Sequence, residues 1–310
     1  MTSIDGVIST KGGIGKTSVC ANLGAILSDL NRKTVLIDLD PQGSLSGYFA
    51  ISEKAEHGVT KFLTSADPTG TISKTEIDNL YVIQNDDPGN ELTNWIKTNS
   101  SHFEYLKYAL SRLVSDYDFD HILIDTQGSI NPLQECVIRN CKRLLSPITP
   151  EFLSAQEFSR GTLLALSRMQ PPSHALIPAQ QLPPLHIIFS ETDRTVANRE
   201  IIRTFNKISF EQVRSDVFIC DTQIPQKKSV YNKSVINKKP VHRIDVKRDR
   251  AKAGKGYVGT PCALETQLNL AYELFPHLEG LLPSWDGSEH PRPEYLSSME
   301  SPATPNLLIV

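Results

Sequence analysis

The sequence predicts an α/β fold, a doubly wound, mostly parallel sheet flanked by helices. Three observations predict it. Short apolar runs alternate with amphipathic segments along most of the chain, a glycine-rich loop at residues 10–18 follows the first apolar run, and two later runs end in Asp38 and Asp125. This alternation is typical of βαβ units, and the open end of such a sheet is where ligands bind.

The length and composition of the chain are consistent with one domain followed by a tail. The chain has 310 residues, of which 39% are hydrophobic and 22% charged, as in globular proteins. We expect a single domain over residues 1–280 and a poorly ordered Pro/Ser-rich segment over 281–310. No apolar run is long enough to span a membrane, no basic-then-apolar signal segment is found at the start, and five cysteines lack CxxC spacing, so we expect a reduced, cytoplasmic protein.

The first half of the chain begins with the run around Val7 and Ile8, the first predicted strand. Helical spacing of apolar residues follows the glycine-rich loop, and the run Val35-Leu36-Ile37 predicts a buried parallel strand. The predicted strands are 4–9, 33–39 and 79–84, and the predicted helices are 17–31, two short ones within 44–78, and most of 91–117.

The second half repeats the alternation as far as residue 224, where the pattern weakens into a basic stretch. A last amphipathic helix follows, with Leu264, Leu268 and Ala271 in register. The predicted strands are 119–125, 143–147, 185–190 and 217–221, and the predicted helices are 152–169, 194–208 and about 264–278.

The loop before the first helix has the residues that a polyphosphate requires. Gly12, Gly13 and Gly15 allow positive φ angles and a close approach of backbone N–H groups to phosphate oxygens. The N-terminus of the helix adds a partial positive charge. Lys16 can reach the β- and γ-phosphates, and the hydroxyl of Thr17 can bind Mg²⁺. The sequence thus predicts a P-loop.

The run Lys-Gly-Gly-x-Gly-Lys-Thr at residues 11–17 resembles the deviant Walker A motif of the ParA/MinD superfamily of P-loop NTPases. Residues 35–44 resemble the switch I sequence of ParA-type partition ATPases, residues 120–126 their Walker B strand, and residues 217–225 a late segment near the adenine. The resemblance covers about residues 4–278. It departs at switch II, where Gln127-Gly128 replaces the usual two prolines.

The resemblance implies ATP and Mg²⁺ as cofactors. Catalytic roles fall to Lys11, Lys16 and Asp40, where Lys11 contacts phosphates bound by the other subunit of a sandwich dimer and Asp40 positions the attacking water. Asp38 remains the alternative to Asp40. Metal ligands are Thr17, Asp125 through water and, as a further option, Asp40. The implied nucleotide-binding residues are Lys11, Gly12, Gly13, Ile14, Gly15, Lys16, Thr17, Ser18 and Pro225.

A basic segment spans residues 226–256. It contains eleven Lys and Arg residues and only two Asp residues, whereas the whole chain has a net charge of −3. It is either a solvated loop or a surface for the DNA backbone. The resemblance favours DNA binding without sequence preference, and the near absence of aromatic residues favours phosphate contacts over base stacking. The candidate DNA-binding residues are Lys227, Lys228, Lys238, Lys239, Arg243, Lys247 and Arg248.

These expectations describe a dimerising ATPase of plasmid or chromosome partition, slow and stimulated by a partner. Its expected partners are a second copy, non-specific DNA and a centromere-binding adaptor, with no membrane, and it would be cytoplasmic and nucleoid-associated. Two alternatives remain: a MinD-like membrane-associated positioning ATPase, and an ATP-binding scaffold that places a protein complex. Cys136 and Cys141 are expected to be buried, inert thiols rather than cluster ligands.

Overall fold

The computed structural model describes residues 2–99, 102–169, 181–193, 195–207, 216–247 and 260–284. Within them, nine strands form one sheet in the order β3-β4-β5-β2-β6-β1-β7-β8-β9. The strands are β1 Ser3–Val7, β2 Thr34–Asp38, β3 Ile51–Glu53, β4 Ile72–Thr75, β5 Leu80–Ile83, β6 His121–Asp125, β7 Arg143–Ile148, β8 Leu185–Phe189 and β9 Val217–Ile219.

Helices connect the strands and cover both faces of the sheet. They are α1 Lys16–Asp29, α2 Val59–Thr64, α3 Glu91–Thr98, α4 His102–Tyr117, α5 Pro132–Asn140, α6 Phe152–Glu157, α7 Leu164–Met169, α8 Val196–Lys207, α9 Lys228–Asn237 and α10 Ala263–Leu274. A π-helical turn, Phe158–Leu163, joins α6 to α7. The predicted doubly wound, mostly parallel sheet is confirmed.

The register of the central strands sets the position of the acidic residues. Strand β6 lies between β1 and β2 and is parallel to both, and Asp125 pairs with Val7 on one side and with Asp38 on the other. Because all three strands end at the same edge, the aspartates that close β2 and β6 meet beside the loop that follows β1.

Alternate residues of the strands pack on opposite faces. Leu36 and Leu123 lie in one core cluster with residues of α1 and α10, whereas Ile37 and Ile124 lie in another with residues of α4 and α5. Burial on both faces explains why these strands read as continuous apolar runs.

The prediction of two short helices within residues 44–78 was wrong. One helix, α2, is present, together with two strands that extend the sheet: β3 pairs antiparallel with β4, and β4 with β5. Strand β4 buries Ser73 and Thr75 rather than apolar side chains, so it lacks the alternation of apolar and polar residues that indicates a strand.

Helix α9 was not predicted, because its buried position is polar and two of its apolar residues are exposed. Its buried residue is Ser234, whereas Val235 and Ile236 are exposed. The predicted helix over 91–117 is also divided, into α3 and α4.

The cysteines are buried, as predicted for Cys136 and Cys141. Burial raises the pKa of the Cys136 thiol to about 12, so this thiol stays protonated and inert. No group of three or more His, Cys, Asp or Glu side chains suited to a metal ion occurs in the described ranges. None of the helices described there is long and apolar enough to cross a membrane.

Candidate nucleotide site

The loop between β1 and α1 has the backbone of an anion-binding turn. Gly13 and Gly15 adopt φ angles of 73° and 88°, and Gly15 is the N-cap of α1. The Ser190 hydroxyl, at the end of β8, donates to the Ile14 carbonyl at 2.9 Å and fixes the loop. Left-handed glycines of this kind turn successive N–H groups toward one point, so the predicted P-loop has the geometry its chemistry requires.

Lys16 is the buried cation of the site, with 6% of the residue exposed. Its Nζ donates to the Lys11 carbonyl at 3.2 Å. Desolvation lowers the pKa of Lys16, and the charges of Asp125 and Asp40 act in the opposite direction. An ammonium this poorly solvated gains strongly from an anionic ligand.

Asp125 is fully buried at the end of β6. Its Oδ2 accepts a hydrogen bond from the Thr17 hydroxyl at 2.7 Å, and its Oδ1 has no hydrogen-bond partner among the described residues. Desolvation, with help from the charge of Asp38, raises the pKa of Asp125 to about 7. A hydroxyl and a carboxylate with a spare buried oxygen are oxygen donors of the kind Mg²⁺ prefers, so the predicted pair fits this ion.

The two candidate water-positioning acids have different surroundings. Asp38 is buried, and its Oδ2 accepts hydrogen bonds from the Ser46 N–H at 2.6 Å and the Ser46 hydroxyl at 2.7 Å. Asp40 is half-buried, lines the phosphate cleft, and accepts from the Gln42 N–H at 3.0 Å. Of the two carboxylates, Asp40 is the one that faces the cleft.

Lys11 points away from its own loop. Its Nζ donates to the Ser154 hydroxyl at 3.0 Å and forms an ion pair with Glu157 at 3.2 Å, both on α6. One third of the Lys11 side chain is exposed. Nearby on α6, Phe152 and Leu153 are exposed apolar residues.

The departure at switch II has a steric reason. A Cβ atom at Gly128 would lie 2.9 Å from the Gly12 Cα and N atoms and from the Lys11 carbonyl oxygen. Distances below 3.0 Å are not found for real Cβ atoms, so switch II packs against the P-loop backbone here more closely than a proline would allow.

Gln134 of α5 also connects the two loops. Its buried Nε2 lies 3.2 Å from the Ser9 carbonyl, 3.1 Å from the Thr126 hydroxyl and 3.2 Å from the Gln127 carbonyl. The Thr126 hydroxyl donates in turn to the Val7 carbonyl at 2.7 Å. Switch II and the P-loop are therefore held by one buried polar cluster.

An apolar pocket continues from the P-loop to the segments that follow β8 and β9, and α9 borders it. The predicted residues Gly15, Ser18 and Pro225 line it, and Gly15 and Ser18 also line the phosphate cleft. The other lining residues are Val19, Ser190, Glu191, Ile224, Gln226, Lys227, Lys228, Tyr231 and Asn232. Its position beside the phosphate cleft and its lining suit a nucleoside.

Several of the candidate DNA-binding residues have internal partners. Lys227 forms a 2.8 Å ion pair with Asp245, and Arg243 forms ion pairs with Asp29. Lys238 donates to the Gly47 carbonyl. Lys228, Lys238, Lys239 and Lys247 have exposed side chains, and Arg248 lies outside the described residues.

Sequence reasoning did not identify Tyr48, Gln134 or Glu191. Glu191 lines both cavities and has a positive φ of 55°, which is unusual for a residue other than glycine. Its position just after a strand of the parallel sheet could have identified it. Tyr48 and Gln134 act through buried hydrogen bonds between distant segments, which sequence spacing does not reveal.

The raised pKa of Asp125 predicts a pH-dependent stability. Folding favours the protonated form of Asp125. Its contribution to the free energy of unfolding is therefore complete below the unfolded pKa near 4 and is lost as pH rises through 7. In the Asp125→Asn variant this side chain cannot ionise. In nucleotide-free protein the melting temperature should therefore rise by roughly 3–6 °C at about pH 8 and by less at about pH 5. Thermal unfolding at both pH values tests this, with exposed Asp78→Asn as control; an equal shift at both would contradict it.

The comparisons agree with this geometry. A family model described as AAA domain (AAA_31) matches residues 2–165, more than half of the chain. A virulence plasmid ParA family protein of Chlamydia psittaci is 29% identical over 232 residues, covering 72% of this chain and 85% of that protein. The sporulation initiation inhibitor protein Soj of Bacillus subtilis is 32% identical over 165 residues, covering 52% of this chain and 63% of Soj, less than two thirds of its length.

Solved structures show the same fold. A plasmid partition protein of Borrelia burgdorferi B31, bound to AMPPNP, has a TM-score of 0.63 at 18% identity, covering 89% of this chain and 100% of that one. The septum site-determining protein MinD of Pyrococcus horikoshii OT3, complexed with Mg-ADP, has a TM-score of 0.61 at 19% identity, covering 90% and 98%. The chain therefore belongs to the AAA_31 family of AAA domains, and it is similar to ParA and Soj partition proteins.

Proposed function

We propose that this chain hydrolyses ATP slowly with Mg²⁺, dimerises around the nucleotide, binds DNA without sequence preference and acts in plasmid or chromosome partition. The observation that carries the proposal is the cleft itself, where a P-loop with Lys16 lies beside Asp40 and the Thr17–Asp125 pair. The relatives named for plasmid ParA and Soj support the partition role.

The P-loop residues from Gly12 to Ser18 would hold the phosphates, and Thr17 with Asp125 would hold Mg²⁺, Asp125 through water. Bound Mg²⁺ supplies charge neutralisation on the phosphate oxygens. Lys16 already points into this space and adds a second positive charge. Asp40 would accept a hydrogen bond from a water and orient it toward the γ-phosphate. The segments that follow β8 and β9, with Pro225, would hold the base.

Lys11 would act on the nucleotide of a second copy. Its ammonium lies on the α6 side of the loop, a third exposed, next to the exposed Phe152 and Leu153. A second copy placed against this face would cover both apolar side chains and exchange the Glu157 contact of Lys11 for a phosphate. A cation supplied in trans in this way stabilises charge in phosphoryl transfer.

Asp40→Ala should bind ATP but stop turnover, because the carboxylate in the cleft is lost while the P-loop is intact. The protein should then accumulate as a dimer with ATP and Mg²⁺, measured by light scattering. Adding Lys11→Ala should return it to the monomer. Turnover that persists in Asp40→Ala would assign the water to another acid, and a dimer that survives without Lys11 would contradict its role in trans.

The DNA surface would be formed by the exposed lysines of the basic segment. Lys228 and Lys233 are exposed on α9, and Lys247 is exposed beyond it. Pairing two chains doubles this surface and raises affinity by avidity. The expected consequences are nucleoid association and, with a centromere-binding adaptor as partner, stimulated hydrolysis.

Replacing Lys228, Lys233 and Lys247 together by alanine should weaken binding to random-sequence duplex DNA by about tenfold or more in the presence of ATP. The slope of log affinity against log salt should flatten by about 0.9 for each phosphate that the variant no longer neutralises. Fluorescence anisotropy measures both. The matched control removes three exposed lysines outside the segment, Lys54, Lys74 and Lys97. Equal losses of affinity in the two triple variants would show that net charge, and not this surface, matters.

A further inference from the structure

Helix α9 borders the nucleotide site and also carries exposed residues. On one side, Tyr231 and Asn232 line the nucleoside pocket and Val235 lines the phosphate cleft. On the other, Lys233 is exposed, as is Ile236 with 78% of its surface. Any shift of α9 with the nucleotide therefore also moves the lysines that it carries.

A chain of hydrogen bonds joins α9 to the segment that follows switch I. The Asn22 Nδ2 donates to the Tyr48 hydroxyl at 2.9 Å, and the hydroxyl oxygens of Tyr48 and Ser234 lie 3.3 Å apart. The Ser234 hydroxyl is 2.6 Å from the Lys239 carbonyl, which can only accept. The Ser234 proton is therefore used there, and Tyr48 donates to Ser234. The chain runs in one direction, from Asn22 to the end of α9.

The same chain begins at the P-loop. The Asn22 Nδ2 also donates to the carbonyl of Ser18, a residue of both cavities, at 2.8 Å. The Asn22 Oδ1 accepts from the Val241 N–H at 2.9 Å. Asn22 and Ser234 are fully buried, so water does not compete for these bonds and their loss leaves unpaired buried groups.

A second link lies at the end of α9. Lys238 adopts a left-handed conformation with φ 55°, which ends the helix, and its Nζ donates to the carbonyl of Gly47 in the segment that follows switch I. The ring of Tyr48 is held edge-on by Phe49, at 5.0 Å between centroids. Residues 47–48 thus contact α9 and its C-terminal end at two places.

We propose that the hydrogen-bond chain Asn22–Tyr48–Ser234 couples the nucleotide cleft to α9 and sets where its lysines lie when DNA binds. Tyr48 is the positioning residue, since its hydroxyl is the junction between α1 and α9. If a nucleotide binds one arrangement of residues 47–48 more tightly than another, it favours the position of α9 that goes with this arrangement by the same difference in binding free energy. The inference rests on the proposed function for its partner, DNA.

Tyr48→Phe tests the coupling, because it keeps the ring and removes only the hydroxyl. In the wild type, AMPPNP with Mg²⁺ should slow hydrogen exchange of the amides of residues 228–239. At saturating AMPPNP the variant should lose most of that protection. Exchange of these amides should then be about fivefold faster than in the wild type, the effect expected of one buried hydrogen bond. Tyr272→Phe, which removes an α10 hydroxyl that donates to the Leu281 carbonyl, is the matched control and should retain the protection.

Ser234→Ala should have the same effect, and the double variant should be no worse than the more affected single variant, since both break one chain. The DNA affinity measured with AMPPNP should fall in parallel. Full protection in Tyr48→Phe, or additive losses of protection in the double variant, would overturn the proposal. If wild-type protein fails to bind DNA, the proposed function fails, whereas the exchange measurement still decides whether the coupling exists.

Discussion

The site depends on a buried ammonium among carboxylates. The parallel register of β2 and β6 brings Asp38 and Asp125 together at the sheet edge, and the turn after β1 inserts Lys16 beside them with little access to water. Burial lowers the pKa of Lys16 and raises those of Asp38 and Asp125. Each group is thus poorly solvated alone, and a polyphosphate with its divalent cation supplies the opposite charges.

The supports of the P-loop follow from that constraint. A loop that must keep its N–H groups and Lys16 aimed at one volume has to be held from outside. Gln134 binds its first residues from α5, and Ser190 binds Ile14 from β8. The hydroxyl oxygens of Thr10 and Thr162 lie 3.2 Å apart, and a Cβ atom at Gly161 would overlap the Thr10 side chain. The π-helical turn that contains Gly161 and Thr162 thus packs directly on the loop, and such turns are frequent at functional sites.

The sequence was sufficient to predict the elements that follow a strong local pattern of apolar residues or glycines. The buried strands that end in Asp38 and Asp125 and the glycines of the loop could be predicted from the sequence. These features follow from periodicity and backbone sterics, so they need no knowledge of distant contacts.

What could not be predicted depends on pairs of segments far apart in the chain. Strand β4 is buried through Ser73 and Thr75, and α9 through Ser234, so polar residues occupy positions where a core side chain is expected. The ion pairs of Lys227 with Asp245 and of Arg243 with Asp29 likewise depend on tertiary structure. A charge run in sequence therefore overestimates the surface that is available to DNA.

The most direct measurement is the nucleotide affinity of Lys16→Ala, titrated with a fluorescent ATP analogue and Mg²⁺. Loss of the buried ammonium should raise the dissociation constant by about 100-fold or more, as expected for charge-assisted hydrogen bonds to phosphate. The exposed Lys54→Ala should bind as the wild type does, and circular dichroism should show both variants folded. An affinity of Lys16→Ala within about twofold of wild type would contradict the account of the site.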